Sequence, residues 1–365
     1  SFILFASIFA LLVACGTDKD VSVRQITPAV VNALTGQTFD VEYLDKTVRP
    51  QDDFFEFANG TWIAENPVPA SESRWGSFNE LDQANKDKLT KILEEARLSE
   101  AAEGTMDHIL GNYYSSYIDM DKRNALGTAP IAADIEAVEK INSKKDILRV
   151  IASQHSVGIS TLFRFGVGQD LKDIDNHISS FGQGGIGLPN KDYYIADSKK
   201  DILLKYEGHI AKMMLLLGYS GKKSKDLAAS VITFETRLAK ASMAPAEMRV
   251  PENTYHKMGL QSLLDDADNF DFESYLSGIG SQTFDSLVIS QPLFWNEIVT
   301  MLNETELEDW KNYMIWKVVD NYAGRLNEAF VVENFNFYGI VLRGKKEMKP
   351  INERAIEEIT HSAFS

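Results

Sequence analysis

The sequence predicts a mainly α fold with a small β component. Apolar residues recur at helical spacing through most of the chain, two capping-box patterns mark helix starts, and only three short stretches break into strand-like patterning. Ser77-Phe78-Asn79-Glu80 is the first box: the serine oxygen can cap a free amide while the glutamate reaches back, opening a helix through Arg97. Helical runs follow near 105–124, 129–142, 145–157, 199–217 and 223–241. The second box, Thr305-x-x-Glu308, starts what reads as the longest run. There Leu307, Trp310, Met314, Val318 and Tyr322 form one apolar stripe, which reads as core rather than as a binding surface. Residues 161–167 alternate as a strand does, 177–181 are the candidate partner, and 286–290 (SLVIS) form a third β-rich run ending at Gln291-Pro292.

Composition narrows the function classes. With 365 residues, 44% hydrophobic and 25% charged, the chain is long enough for a large core and is neither disordered nor collagen-like. A formal net charge of −16 repels phosphate backbones, so no nucleic acid is expected as a partner. One cysteine excludes a disulfide framework and any cysteine-based metal cluster.

That cysteine, Cys15, ends an apolar run over residues 2–14 (FILFASIFALLVA). A spanning helix needs roughly 20 residues, so the run reads as a signal-peptide core. Leu12-Val13-Ala14-Cys15 resembles the bacterial lipobox, which implies cleavage before Cys15 and lipidation of its thiol. More than one acyl chain then anchors the protein firmly. The expected organisation is a signal peptide over 1–14, a lipidated Cys15 with a polar tether over 15–39, and a globular part over 40–365. The expected location is the bacterial cell envelope, periplasmic or at the cell surface, on a membrane through the lipid.

Catalytic signatures can be tested by inspection. A zinc-binding H-E-x-x-H needs two histidines four apart on one helix, with a glutamate between them as base. The histidines are His108, His155, His177, His209, His256 and His361, and none of them forms such a pair. A packed or surface side chain is the better account of each. Gly182-Gln183-Gly184-Gly185-Ile186-Gly187 satisfies G-x-G-x-x-G, but Leu188-Pro189-Asn190 follows at once, so a turn is expected in place of the phosphate-binding helix start. Ser220-Gly221-Lys222-Lys223 matches S-x-x-K without its companion motifs and reads as a solvated loop between helices. Spacing alone therefore yields no catalytic and no metal-binding residue in this chain.

Longer motifs carry more. The segment from Arg49 to Trp62 contains Asp52, Asp53, Phe54, Asn59, Gly60 and Trp62 in the pattern P-x-D-D-F-[YF]-x-[YF]-x-N-G-x-W. It resembles the opening motif of the neprilysin family of zinc metallopeptidases, in its bacterial oligoendopeptidase O type. Pro67-Val68-Pro69 and Ser73-Arg74-Trp75-Gly76-Ser77-Phe78 follow at that family's spacing. The likeness continues in Gln183-Gly184-Gly185-Ile186-Gly187-Leu188-Pro189-Asn190-Lys191-Asp192-Tyr193-Tyr194. It recurs in 249–258, which includes Tyr255, and in Phe335-Asn336-Phe337-Tyr338-Gly339. These blocks are collinear, and they read as scaffold residues rather than substrate contacts. Departures exist: Gln51 and Ala58 stand near cysteines of vertebrate members, and Ile351-Asn352-Glu353-Arg354 replaces the usual R-W-x-[KR].

The resemblance implies the helical N-terminal region of a neprilysin-like peptidase, with the thermolysin-like catalytic domain and its zinc ligands outside this chain. A start without Met and a finish within a helical run fit a partial chain. The expected whole is a zinc metalloendopeptidase acting on oligopeptides and small proteins, with this part forming chamber wall and inactive alone. Its expected partners are peptide substrates and the C-terminal catalytic domain. The alternative is a non-catalytic helical lipoprotein acting as a peptide-binding or interaction module.

Overall fold

The computed structural model describes residues 41–363 apart from 266–270 and 282. The apolar run over 2–14, Cys15 and the tether through 39 lie outside the described residues. The described residues up to Pro67 belong to one compact unit and those from Val68 to a second. No helix among the described residues is long and apolar enough to cross a membrane.

In the first unit, Asp53 starts helix α1 (Phe54–Glu65) by accepting the Glu56 N–H at 2.9 Å. The preceding turn folds back onto that helix. The Asp45 N–H reaches the Phe57 carbonyl at 2.9 Å, and the Thr61 hydroxyl donates to the Leu44 carbonyl at 3.0 Å. Trp62 meets Tyr43 edge-on, with ring centres 6.5 Å apart.

The second unit is mostly helical. Helices α2 (Ser77–Leu98) and α3 (Met106–Ile118) pack with the closing helix 351–363 around Leu93, Tyr114, Ile356 and Ile359. The run near 105–124 is two helices: Asp119 caps α4 (Met120–Leu126) by accepting the Lys122 N–H, and that ends α3. Helices α5 (Ala132–Glu139) and α6 (Lys144–Ser156) follow, the latter opened by a capping box between Ser143 and Asp146.

Strands β1 (Phe163–Asp170) and β2 (Asp173–Gln183) form a hairpin wider than the sequence pattern suggested. The sheet order is β1-β2-β4-β3, with β3 (Lys257–Gly259) antiparallel and β2 parallel to β4 (Ser286–Ile289). Between them in the chain lie α7 (Asp192–Ile195), α8 (Lys200–Leu216), α9 (Gly221–Ala241), α10 (Leu260–Asp265) and α11 (Phe272–Gly278). Helices α12 (Pro292–Glu304), α13 (Leu307–Tyr322) and α14 (Glu328–Asn334), a π-helical turn Phe335–Val341, and α15 (Ile351–Ala363) complete the chain.

Helix α13 is the centre of the core. Trp310, Met314 and Val318 of the expected stripe are buried, but so are Tyr313, Ile315, Trp316, Lys317 and Val319. A helix buried all round is enclosed by others, not laid on a surface.

Both sequence-predicted capping boxes are corrected by the structure. Gly76 supplies the extended residue before α2, so Ser77 is already helical and caps nothing. Thr305 ends α12, and its hydroxyl accepts from the Arg237 guanidinium at 3.4 Å, leaving Glu306 to precede α13. Nor is α13 the longest helix: its 16 residues fall short of the 22 of α2 and the 21 of α9. Helices α1, α11 and α12 escaped the sequence reading: α1 lacks a clean 3.6-residue stripe and α11 is only seven residues long, whereas α12 does carry one, in Phe294, Trp295, Ile298, Met301 and Leu302, that the reading passed over.

The S-x-x-K match, read as an interhelical loop, is instead a helix start: Gly221, Lys222 and Lys223 are the first residues of α9. Ser220 caps α9 by accepting the Lys223 N–H at 3.3 Å. Ser220→Ala should therefore cost about 1 kcal/mol of stability, read as a lower urea midpoint with an unchanged slope. A change well below that would remove the capping role.

Candidate functional site

One face of the sheet is aromatic and the other is nearly bare. Phe163, Phe165 and Phe181 turn to one side, where Phe163 stacks on Phe181 at 4.6 Å and Trp295 meets Phe181 edge-on at 4.9 Å. The opposite side presents Arg164 opposite Gly182 and Gly166 opposite Ser180. Small side chains there leave the floor of a cleft of about 810 Å³.

The segment 184–190 forms one wall, held from behind by buried polar groups. Glu235 on α9 is wholly buried. It accepts the Tyr194 hydroxyl at 2.6 Å, the Tyr206 hydroxyl at 3.2 Å and the Gly187 N–H at 3.1 Å. The Leu188 N–H donates to the Tyr194 oxygen at 3.0 Å, and the Trp316 indole N–H donates to that of Tyr206 at 2.9 Å. The Tyr313 hydroxyl donates to the Gly185 carbonyl at 2.8 Å and accepts the Leu162 N–H at 2.9 Å. That last bond holds Leu162 in the left-handed backbone region, φ 62°, a strained state for a leucine. Gly185 also lies there, φ 76°, and a side chain would strike Leu162 and Tyr313.

Burial pushes the Glu235 carboxyl above the usual carboxylate range, opposed by the Lys317 charge and by hydrogen bonds from Tyr194 and Gly187. Burial beside Glu235 lifts the Tyr194 and Tyr206 hydroxyls well above the ordinary tyrosine value. They remain donors at any physiological pH.

The neighbouring walls are pinned by side-chain amides. Gln183 pairs with the Met243 backbone in both directions, at 2.6 and 3.1 Å, and the Gln291 carbonyl oxygen accepts the Gln183 N–H at 2.7 Å. Lys191 reaches the Ser242 carbonyl at 2.7 Å. Lys317, Tyr338 and Arg343 also line the cleft.

The structure disperses the motif residues into distinct roles. Asp53 caps α1, Gly60 is the buried residue within it, and the Asn59 amide donates to the Phe55 carbonyl at 3.0 Å. Asp52 pairs with Arg49 at the surface, and Phe54 is largely exposed. Gly184, Gly185, Gly187, Leu188 and Pro189 line the cleft. Asp192 opens α7, Tyr193 lies under the Lys199 ammonium at 4.7 Å, and Tyr194 holds Glu235. The Tyr255 hydroxyl donates to Asp170 at 2.7 Å and, with Lys257, keeps that carboxyl down at about 2. Phe337 stacks on His209 at 4.8 Å, and the Tyr338 hydroxyl donates to Asp320 at 2.8 Å.

The G-x-G-x-x-G segment leads into no helix before Asp192, and its Gly187 N–H is spent on Glu235. A phosphate has no amide cradle there. Among the described residues no group of three or more His, Cys, Asp or Glu is placed to hold a metal ion. His155 bonds Tyr275 and the Thr161 carbonyl, and His209 faces Glu333 at 3.1 Å. The described residues do not fit a zinc site.

Sequence reasoning missed Glu235, Tyr206, Tyr313, Trp316 and Arg164. Gly187 and Glu235 are 48 positions apart and Tyr206 and Trp316 are 110, so no local pattern links them. Lys317 did leave a trace, as one lysine inside the apolar run 313–319.

Two outcomes test this architecture. A methyl group at Gly187 would lie 1.9 Å from the Tyr206 hydroxyl, so Gly187→Ala should cost about 1–3 kcal/mol in chemical denaturation. Glu235 has a folded-state pKa above its unfolded value, so the native chain binds more protons between the two. Its contribution is present at low pH and lost as pH rises through the folded value. The stability of the wild type relative to Glu235→Gln should therefore fall as pH rises above the ordinary carboxylate range. A pH-independent difference would contradict this account.

The comparisons with known proteins converge. The model of peptidase family M13, in its N-terminal part, matches residues 50–365. Endothelin-converting enzyme 1 of Bos taurus is 26% identical over 368 residues, covering 95% of this chain and 48% of the relative. Neprilysin-3 of Drosophila melanogaster is 26% identical over 373 residues, covering 90% and 47%. The chain spans about half the length of the curated relatives it matches. Among solved structures, zinc metalloprotease Zmp1 of Mycobacterium tuberculosis, in complex with inhibitor, superposes with a TM-score of 0.85 at 27% identity, covering 88% of this chain and 50% of that one. PepO from Lactobacillus rhamnosis has a TM-score of 0.72 at 18% identity, a likeness of fold. With a family match over 50–365 and a mainly helical fold carrying a four-stranded sheet, the chain belongs to peptidase family M13.

Proposed function

We propose that this chain is the peptide-enclosing, helical part of a zinc metalloendopeptidase that hydrolyses oligopeptides and small proteins. The observation that carries the reading is the family match over residues 50–365, joined to the likeness in fold to a zinc metalloprotease. A cleft of about 810 Å³ lined by glycine-rich backbone and mixed apolar and basic side chains suits an extended peptide. Zinc, when bound, polarises the scissile carbonyl and activates water. No described side chain of this chain takes a step at that metal; in this reading its ligands lie outside the described residues.

The proposal includes the location. Cys15 is lipidated and holds the protein on the bacterial cell envelope, periplasmic or at the cell surface. The support is the sequence pattern Leu12-Val13-Ala14-Cys15 after an apolar run of signal-peptide length.

Protein isolated from membranes of its natural host should cleave an internally quenched oligopeptide, lose activity to a chelator and regain it with zinc. The 365-residue chain should show no zinc-dependent cleavage. Chelator-sensitive turnover by that chain alone would overturn the assignment of the metal site elsewhere. Isolated protein that binds peptides without any turnover would favour a non-catalytic binding module.

For the anchor, Cys15→Ala should abolish labelling by a fatty-acid analogue and shift the protein from the membrane to the soluble fraction. Label that persists in the variant sinks the lipid reading.

A further inference from the structure

The cleft carries a charge pattern opposite to that of the chain around it. Asp and Glu outnumber Lys and Arg by 53 to 37 in the whole sequence. The cleft lining contains Arg164, Lys317 and Arg343 and no acidic residue. Arg164 and Arg343 are exposed, and neither forms an ion pair among the described residues.

Lys317 is the informative member. It sits in the enclosed part of α13, with its side chain only 8% exposed, yet it lines the cleft. An ammonium has three donors to satisfy. The nearest carboxylate oxygen, Asp320 Oδ2, is 3.9 Å away, beyond hydrogen-bond reach. Asp320 Oδ1 is already taken by the Tyr338 hydroxyl at 2.8 Å. The other acid behind the wall, Glu235, is engaged by Tyr194, Tyr206 and Gly187. Lys317 makes no hydrogen bond among the described residues: Asp320 answers its charge only at ion-pair range, and its donors remain free for an acceptor in the cleft. The open side of this ammonium is the cleft.

The surroundings select the kind of acceptor. Ile186, Met243, Met248 and Leu342 line the same cleft and give it apolar surface beside its three cations. A small inorganic anion would leave that surface uncovered, whereas a peptide brings apolar side chains together with a carboxylate. The Gly166, Ser180 and Gly182 floor leaves room for its backbone.

We propose that this cleft binds peptides through a carboxylate seated on Lys317, with Arg164 and Arg343 flanking it, so that it selects acidic or free-C-terminal peptide segments. The proposal rests on the peptide-handling reading above and adds the charge of the ligand. Both sources, a C-terminal carboxylate and an Asp or Glu side chain, present the same group.

The test is fluorescence anisotropy with the 365-residue chain in chelator-containing buffer, using fluorescein-labelled apolar hexapeptides. One carries a free C-terminus, one an internal Asp with an amidated C-terminus, and one Asn with an amidated C-terminus. At least one carboxylate peptide should bind about tenfold more tightly than the neutral one, the scale of one charge-assisted hydrogen bond. Which of the two binds identifies the source. Lys317→Met should remove most of that preference. Arg164→Gln and Arg343→Gln together should weaken it while leaving the thermal melt unchanged, since both side chains are exposed. If Lys317→Met fails to fold, the double arginine variant carries the test.

Equal affinity for charged and neutral peptides, no binding of any of them, or a preference undiminished in the double variant overturns the proposal. Because the readout needs no zinc and no turnover, its failure leaves the peptidase reading standing. Loss of the peptidase reading in turn would not alter a measured preference for carboxylates.

Discussion

Glu235 is wholly buried on α9, and its Oε2 gathers hydroxyls from α7 and α8 together with the amide of Gly187, while Oε1 meets only the Tyr206 hydroxyl at 3.4 Å. A carboxyl in that position is tolerable only because three donors converge on Oε2. The consequence runs outward. Tyr194 passes the constraint to Leu188, Tyr206 passes it to Trp316 on α13, and the wall of the cleft is thereby tied to the centre of the core. Removing one partner would leave a buried acid short of a donor, a defect that apolar repacking of the surroundings could not mend.

The sheet solves a second problem. Its four strands need a packed face, which the phenylalanines and Trp295 provide by stacked and edge-on ring contacts. The other face must stay clear if a ligand is to lie on it. Glycine and serine at 166, 180 and 182 keep it clear at some cost in strand preference, which the aromatic face offsets. The cleft is therefore a product of alternation: the same period that builds the core hollows the opposite side.

Around this floor, the walls come from segments far apart in the chain. Gln183 and Gln291 act as spacers, with side-chain amides that match backbone groups and fix the distance between walls. Tyr313 binds the strained Leu162 and Gly185 at one point, so the turn into β1 and the glycine-rich wall keep a common position. Lys317 follows Trp316 directly, and the packing that fixes the tryptophan also sets the ammonium at the cleft.

The sequence by itself determined the mainly helical class, the three strand regions and the collinear motifs, because periodicity and turn chemistry are local properties. It also showed that no pair of histidines has the spacing of a zinc helix. It did not reveal which serine or threonine caps a helix: Ser77 and Thr305 matched the pattern, while Asp53, Asp119 and Ser220 do the capping. A cap depends on where the preceding chain turns, and tertiary contacts such as Arg237 with Thr305 decide that. The motif Gln183–Tyr194 was legible as a turn, but its partners Glu235, Tyr206 and Tyr313 were not. Their hydrogen bonds join residues from 29 to 151 positions apart. Amphipathic pattern tells each helix which face to bury; only the assembled core decides what that face meets, and so where a buried lysine is left facing an open cleft.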